Sequence, residues 1–278
     1  SMDTTSIVAT IAVNMILLVA TIARLSKHLR SWGTQNWRPG KSKEDASRAL
    51  LEQHAAELEA TRPQRAALVE QFEMATASIV TPSPLRRYLL RLGTCTDPML
   101  THVTFEDGHG SSMLSEFRCW MPSRQYAALR LLCHNPFVTS LVLNGCALED
   151  GAGEVLAEVL TLSPSLTALS VEGNDLREPG LLALVESLRT NTTLRELRLH
   201  HQRLTVTTPV EEALHALLHH AHNTTLCKLG LAVRNDVPRH RIEAALMRNI
   251  DAARAARHRE SMRRREERGE GVGAAPGD

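Results

Sequence analysis

The chain has 278 residues, of which 43% are hydrophobic and 23% charged, so it is a folding sequence rather than a disordered one. Thirty-two basic against 31 acidic side chains leave a formal net charge of +1, and nothing in that balance points to nucleic acid as a partner. Aromatics make up only 3%, so any core must be aliphatic, and the odd set of Cys95, Cys119, Cys133, Cys146 and Cys227, with no close pair, excludes a disulfide framework or a zinc knuckle and predicts free thiols.

A serine precedes Met2, which reads as a processed end or a remnant of cloning. Residues 4–23, TTSIVATIAVNMILLVATIA, carry no charge. A helix of that length spans ~30 Å, the thickness of a bilayer's hydrocarbon core. The next charges are Arg24, Lys27, Arg30, Arg38, Lys41 and Lys43, with no acid before Glu44. A basic flank of that kind predicts one transmembrane helix whose following chain stays on the matrix or cytoplasmic side, with Arg24, Lys27 and Arg30 available to anionic lipid. Residues 24–96 form a basic flank and helical connector. Its stripe of Leu50, Leu51, Ala55 and Leu58 is interrupted by Pro63 and resumes with Ala67, Leu68, Phe72 and Ala75. Ser83 then caps a short helix opened by Pro84.

From 97 to 237 the chain repeats itself. LTALSVEGNDL (166–176), LRELRLHHQRL (194–204) and LCKLGLAVRND (226–236) share apolar residues at positions 1, 4 and 6 and a small, polar or amide-bearing residue at 9. VTSLVLNGCAL (138–148) fits the same frame and LTHVTFEDGHG (100–110) fits it weakly, so successive starts lie 38, 28, 28 and 32 residues apart. A helical pattern follows each frame, as in Leu181, Leu182, Leu184, Val185 and Leu188. This is the strand-plus-helix form of the leucine-rich repeat. One strand and one helix cannot bury their shared apolar face alone, so stacking must turn the leucines into a ladder and the strands into a parallel sheet. Asn174 is expected to bond backbone where the chain leaves the strand. The NTT at 191–193 and 223–225 sits where a helix gives way to the next strand, with Asn as a left-handed terminator; both also match glycosylation sequons, which the repeat accounts for. Residues 238–260 read as a capping helix with Ile242, Leu246 and Ile250 inward, and 261–278 as a charged, disordered tail; seven arginines and four glutamates lie between Arg254 and Glu270.

No nucleophile elbow, phosphate loop or zinc-protease motif occurs, so no catalytic residue and no cofactor is expected. His215, His219 and His222 share a helical face, with His200 and His201 on the preceding unit, but they border the buried stripe of that helix and read as solvated rather than metal-ligating. The candidate binding residues are the strand positions between the ladder leucines, above all Arg195, Glu196, Arg198, His200 and Lys228.

VEGNDLREPGLLALVESLRTNTTLREL (171–197) resembles the repeats of ribonuclease-inhibitor type, and within them the carboxy-terminal domain of tropomodulin and leiomodin. The likeness covers roughly residues 130–255. It implies the solenoid fold and, as one function, regulation of actin filaments, since tropomodulins cap filament pointed ends. The apolar start instead predicts a non-catalytic, membrane-anchored interaction protein. That reading makes the chain an accessory subunit of a mitochondrial inner-membrane complex, with the bilayer and the subunits of the complex as its partners.

Overall fold

The computed structural model describes residues 43–79, 83–104, 112–203, 207–219 and 223–267. The chain divides into two compact units, residues 1–49 and 50–278, and of the first only 43–49 are described. The transmembrane helix expected at 4–23 lies outside the described residues. Among those described, no helix is long and apolar enough to cross a membrane.

The connector is helical. α1 (Lys43–Gln53), α2 (Ala55–Ala60) and α3 (Arg62–Thr76) follow one another with breaks at His54 and Thr61. The break at Thr61 has the predicted cause, because Pro63 is tolerated only in the first turn of a helix. α4 (Pro84–Thr94) begins at Ser83, whose hydroxyl accepts from the Arg86 amide at 3.1 Å, and ends at Cys95 in the left-handed conformation. Only the later part of the stripe packs on the body, through Phe72, Leu68 and Ala75, whereas Ala55 and Ala67 are exposed. Phe72 and Leu85 are fully buried, and Phe72 and Phe117 lie 6.1 and 5.8 Å from Trp120, so several of the few aromatic rings gather at the amino-terminal end of the stack.

The body is a right succession of strand and helix. β1 (His102–Thr104) leads through α5 (Ser112–Arg118) and α6 (Pro122–Arg130) to β2 (Ser140–Val142) and α7 (Asp150–Leu162). β3 (Ala168–Ser170), α8 (Glu178–Ser187), β4 (Glu196–Arg198), α9 (Thr208–His219) and β5 (Lys228–Gly230) follow. The five strands lie in sequence order in one parallel sheet. Its register places Val103, Leu141, Leu169, Leu197 and Leu229 side by side, the ladder that the frame predicts. Each strand is only three residues long and could not hold by itself; in β2, β3 and β4 burial of the central leucine, at about 1.5–3 kcal/mol per side chain, keeps the strand in place.

Two rows of amides bind neighbouring turns together. At position 9 of the frame, Asn174 donates to the Leu143 and Val171 carbonyls at 2.8 Å and accepts from the Leu148 amide at 3.1 Å. Gln202 repeats the arrangement one turn on, donating to Val171 and Leu199 and accepting from Leu176. The second row corrects the expectation for the NTT segments. Neither Asn191 nor Asn223 has a positive φ. Both are buried, accept from the amides two and three residues ahead, and donate to the previous turn: Asn191 to Leu160, and Asn223 to Leu188 and Asn191. Asn135 and Asn249 continue the row at either end. An asparagine that uses both ends of its amide in this way is an Asx turn tied to its neighbour.

The left-handed positions fall elsewhere. Position 8 of the frame is Gly145, Gly173 and His201, with φ of 63°, 66° and 58°. The last helix, α10 (Asp236–Glu267), opens two residues before Pro238 and runs past 260 to Glu267. Ile242 faces inward as read from the sequence, but the other fully buried positions are Ala245 and Asn249, with Leu246 and Ile250 half-buried.

Candidate functional site

The register sets two rows of side chains across the outer face of the sheet. One runs His102, Ser140, Ala168, Glu196, Lys228, and the other Thr104, Val142, Ser170, Arg198, Gly230. The first three strands therefore present small, mostly uncharged groups, and charge is concentrated on β4 and β5. Sequence spacing identified those residues, but their pairing comes from the sheet. Glu196 and Lys228 are direct register partners, with the ammonium 2.8 Å from the carboxylate, and Arg198 Nε reaches the same oxygen at 2.5 Å. Burial pushes the Glu196 carboxyl up, yet the hydrogen bonds from Lys228 and Arg198 outweigh it and hold the group below the usual carboxylate range.

The other two candidates stand apart from this triad. His200 lies beyond the end of β4 with its ring over Gly230, where an added Cβ would come within 2.9 Å of it. The imidazoles of His200 and His201 are 5.8 Å apart. Arg195 occupies position 2 of the frame, where Thr139 and Thr167 each donate a hydroxyl to the position-2 carbonyl of the preceding turn, Thr101 and Thr139. Its backbone keeps that ladder, the carbonyl taking the Cys227 and Lys228 amides, while its side chain is exposed. Arg195 comes one residue before β4 and stands beside the triad in sequence, outside its ion pairs. The whole set carries three cations to one anion.

Two features escaped the sequence reading. A cleft of about 570 Å³, lined by Glu149, Asp150, Gly151, Asp175, Arg177 and Arg203, opens where the strands turn into helices. Within it Asp150 accepts from the Arg177 amide at 2.6 Å, and Arg203 lies 4.0 Å from Asp175. A signal for it was present: Asp175 and Arg203 share position 10 of successive frames, and Glu149 and Arg177 share position 12. The other is Glu211 on α9, which the sequence presents as a surface residue. It is buried, and it accepts from the Arg234 amide at 2.6 Å and from the Asn235 side chain at 2.5 Å. Arg234 occupies position 9 of the last frame, where the two preceding turns carry an amide side chain, and there Glu211 accepts from the backbone instead.

His215 and His219 stand with ring centres 5.0 Å apart, and His222 lies outside the described residues. No group of three or more potential ligands that could hold a metal occurs among the described residues. None of the five cysteines forms a disulfide; burial pushes Cys133 up to about 12, far from a reactive thiolate.

A parallel ladder of this kind, backed by helices and stitched by buried amides, defines a leucine-rich-repeat protein of the ribonuclease-inhibitor type. The family described as the TMOD/LMOD leucine-rich domain matches residues 122–252, just under half of the chain. Rat leiomodin-2 is 35% identical over 129 residues, covering 46% of this chain and 23% of its own length. Human leiomodin-1 is 32% identical over 136 residues, 49% of this chain and 22% of that protein. The chain therefore spans about a quarter of the length of these relatives. Among solved structures, leiomodin-1 actin-binding site 2 is 28% identical, with a TM-score of 0.58 over 66% of this chain and 99% of that one. The tropomodulin C-terminal domain of Caenorhabditis elegans shares the fold at 24% identity and a TM-score of 0.55, over 63% of this chain and 98% of that one. This chain carries a leucine-rich domain resembling that of tropomodulin and leiomodin.

These relatives overturn the accessory-subunit reading. Membership of a mitochondrial inner-membrane complex, membrane localisation, and the bilayer, anionic lipid and complex subunits as partners all rested on the apolar run at 4–23 and on the charges of Arg24, Lys27 and Arg30. Those residues lie outside the described part, whereas the relatives share the folded body. A charge asymmetry can orient a span that exists, but it cannot identify what a domain binds.

Proposed function

We propose that this protein is a non-catalytic, actin-binding protein of the tropomodulin and leiomodin kind, acting on filament assembly through its repeat domain. The observation that carries the proposal is the match, over 99% of that chain, to a solved leiomodin-1 actin-binding site. The charged end of the sheet supports it, because a triad of Glu196, Arg198 and Lys228 with Arg195 beside it offers a cation-rich surface suited to an acidic protein face. Complementary charge of this sort chiefly sets specificity and encounter rate.

Co-sedimentation with filaments, together with fluorescence-monitored actin assembly, tests the reading. The purified chain is expected to bind actin and change its assembly rate. Reversing Arg195, Arg198 and Lys228 to Glu together should weaken binding about ten-fold or more, a loss of roughly 1.4 kcal/mol, with circular dichroism unchanged. Assembly kinetics unaffected by saturating protein would dispose of the proposal, and a triple variant binding like the parent would move the site off this surface.

A further inference from the structure

The last helix outruns its packing. After Ile242, Ala245 and Asn249, no described side chain of α10 is buried, and from Asp251 to Glu267 nearly all are exposed. This arm is polar on every face. Pairs along it hold it together: Asp251 with Arg254 at 3.4 Å, Glu260 with Arg263 at 3.0 Å and with Arg264 at 2.8 Å, and Arg263 with Glu267 at 3.4 Å. Solvent-exposed pairs at helical spacing are screened and individually weak, so local opening of the arm costs little.

In the middle of the arm stands the exposed Ser261, within RHRESMRRR (257–265). Arg257 and Arg259 precede it, apolar Met262 follows, and Arg263, Arg264 and Arg265 come next. A kinase cleft lined with carboxylates selects a hydroxyl flanked by guanidinium groups through this charge pattern. We propose that Ser261 is a phosphorylation site for a serine/threonine kinase that reads basic residues on both sides, with ATP as the phosphoryl donor. The Ser261 oxygen forms a bond to the γ-phosphorus as the bond from that phosphorus to the β,γ-bridging oxygen breaks. The hydroxyl proton passes to the kinase's base, and ADP leaves.

The product also suits the helix. Arg257 lies four residues before Ser261, and Arg264 and Arg265 lie three and four after it, so all three share its side of the helix and can donate to phosphate oxygens. Arg264 would have to exchange its present partner, Glu260, for the phosphate. Residues 251–267 hold six arginines and four acids, a formal +2 that a phosphate of about −2 cancels. The modification would therefore convert a cationic arm into a neutral one. This inference does not depend on the actin reading.

The test incubates the full chain with ATP and a kinase of the protein kinase C type, alongside a synthetic peptide of residues 254–267, and locates phosphate by tandem mass spectrometry. Phosphate is expected on Ser261 in both, absent from the Ser261→Ala chain, and incorporated at least ten-fold more slowly when Arg259 and Arg263 are both replaced by Ala. A peptide that is modified while the folded chain is not would overturn the claimed accessibility. Failure on both, or a rate indifferent to the arginines, would overturn the recognition.

Discussion

Asn223 shows how much of this fold rests on single amides. Its nitrogen donates to the Leu188 and Asn191 carbonyls at 2.8 and 3.2 Å, and its oxygen accepts from the Thr225 and Leu226 amides at 3.1 and 2.9 Å. Replacement by Ala would strand buried backbone groups that water cannot reach, at a cost of about 2–4 kcal/mol. Urea unfolding of Asn223→Ala should show that loss in the midpoint with the slope preserved; a shift below about 0.5 kcal/mol would mean that the row does not hold the turns together. Asn223→Asp keeps the acceptor but loses both donors, and it should be no better tolerated. The NTT motif was visible in the sequence, but its job was misread, because a terminator and an Asx turn favour the same residue type. Only the φ angles and the partners in the previous turn distinguish them.

Among the elements, α7 and α8 come close enough to bring glycine against glycine. An added Cβ at Gly153 would lie 2.5 Å from both the Cα and the carbonyl oxygen of Gly180, so the two helices touch backbone to backbone. Nothing flexible is there to move aside. Gly153→Ala should therefore lower stability by more than about 2 kcal/mol, despite the higher helix propensity of alanine. Gly180→Ala, whose nearest new contact is Asp150 Cα at 3.0 Å, should cost less. If Gly153→Ala instead stabilised the protein in thermal melts, the helices would have to be further apart than described. Leucine periodicity located these helices correctly, since Leu181, Leu184, Val185 and Leu188 are buried as a stripe. It did not reveal the glycine contact, because Gly153 and Gly180 belong to different turns and no spacing within one helix relates them.

For the whole molecule, the two ends of the solenoid are closed differently. Aromatic side chains carried on α3, α5 and the turn before α6 gather at the amino-terminal end, while the first part of α10 covers α9 and β5 at the other. An open end would expose the leucine ladder to water. Deleting residues 254–278 removes no buried side chain among those described and should leave the unfolding free energy within about 0.5 kcal/mol of the parent. Deleting from 236 onward removes Ile242, Ala245 and the Asn249 bonds to Asn223 and Leu226, and should cost several kcal/mol or prevent soluble expression. Matched truncations followed by differential scanning calorimetry would separate cap from arm; equal losses would show that the boundary has been misplaced.

The frame of apolar residues at positions 1, 4 and 6 was enough to determine the solenoid, its parallel strands and the identity of the ladder leucines. Each repeat can bury its apolar face only against a copy of itself, and that requirement is written in local spacing. The chain's outer charges were legible too, residue by residue. Their grouping was not: Glu196 and Lys228 are 32 positions apart, and only the lateral register of β4 with β5 brings them to 2.8 Å. The same holds for buried Glu211, whose partners in the loop after β5 come within reach through packing alone. Periodicity within a segment follows from the chain's own geometry, whereas contacts between turns depend on how those segments stack, and no single turn encodes the position of its neighbour.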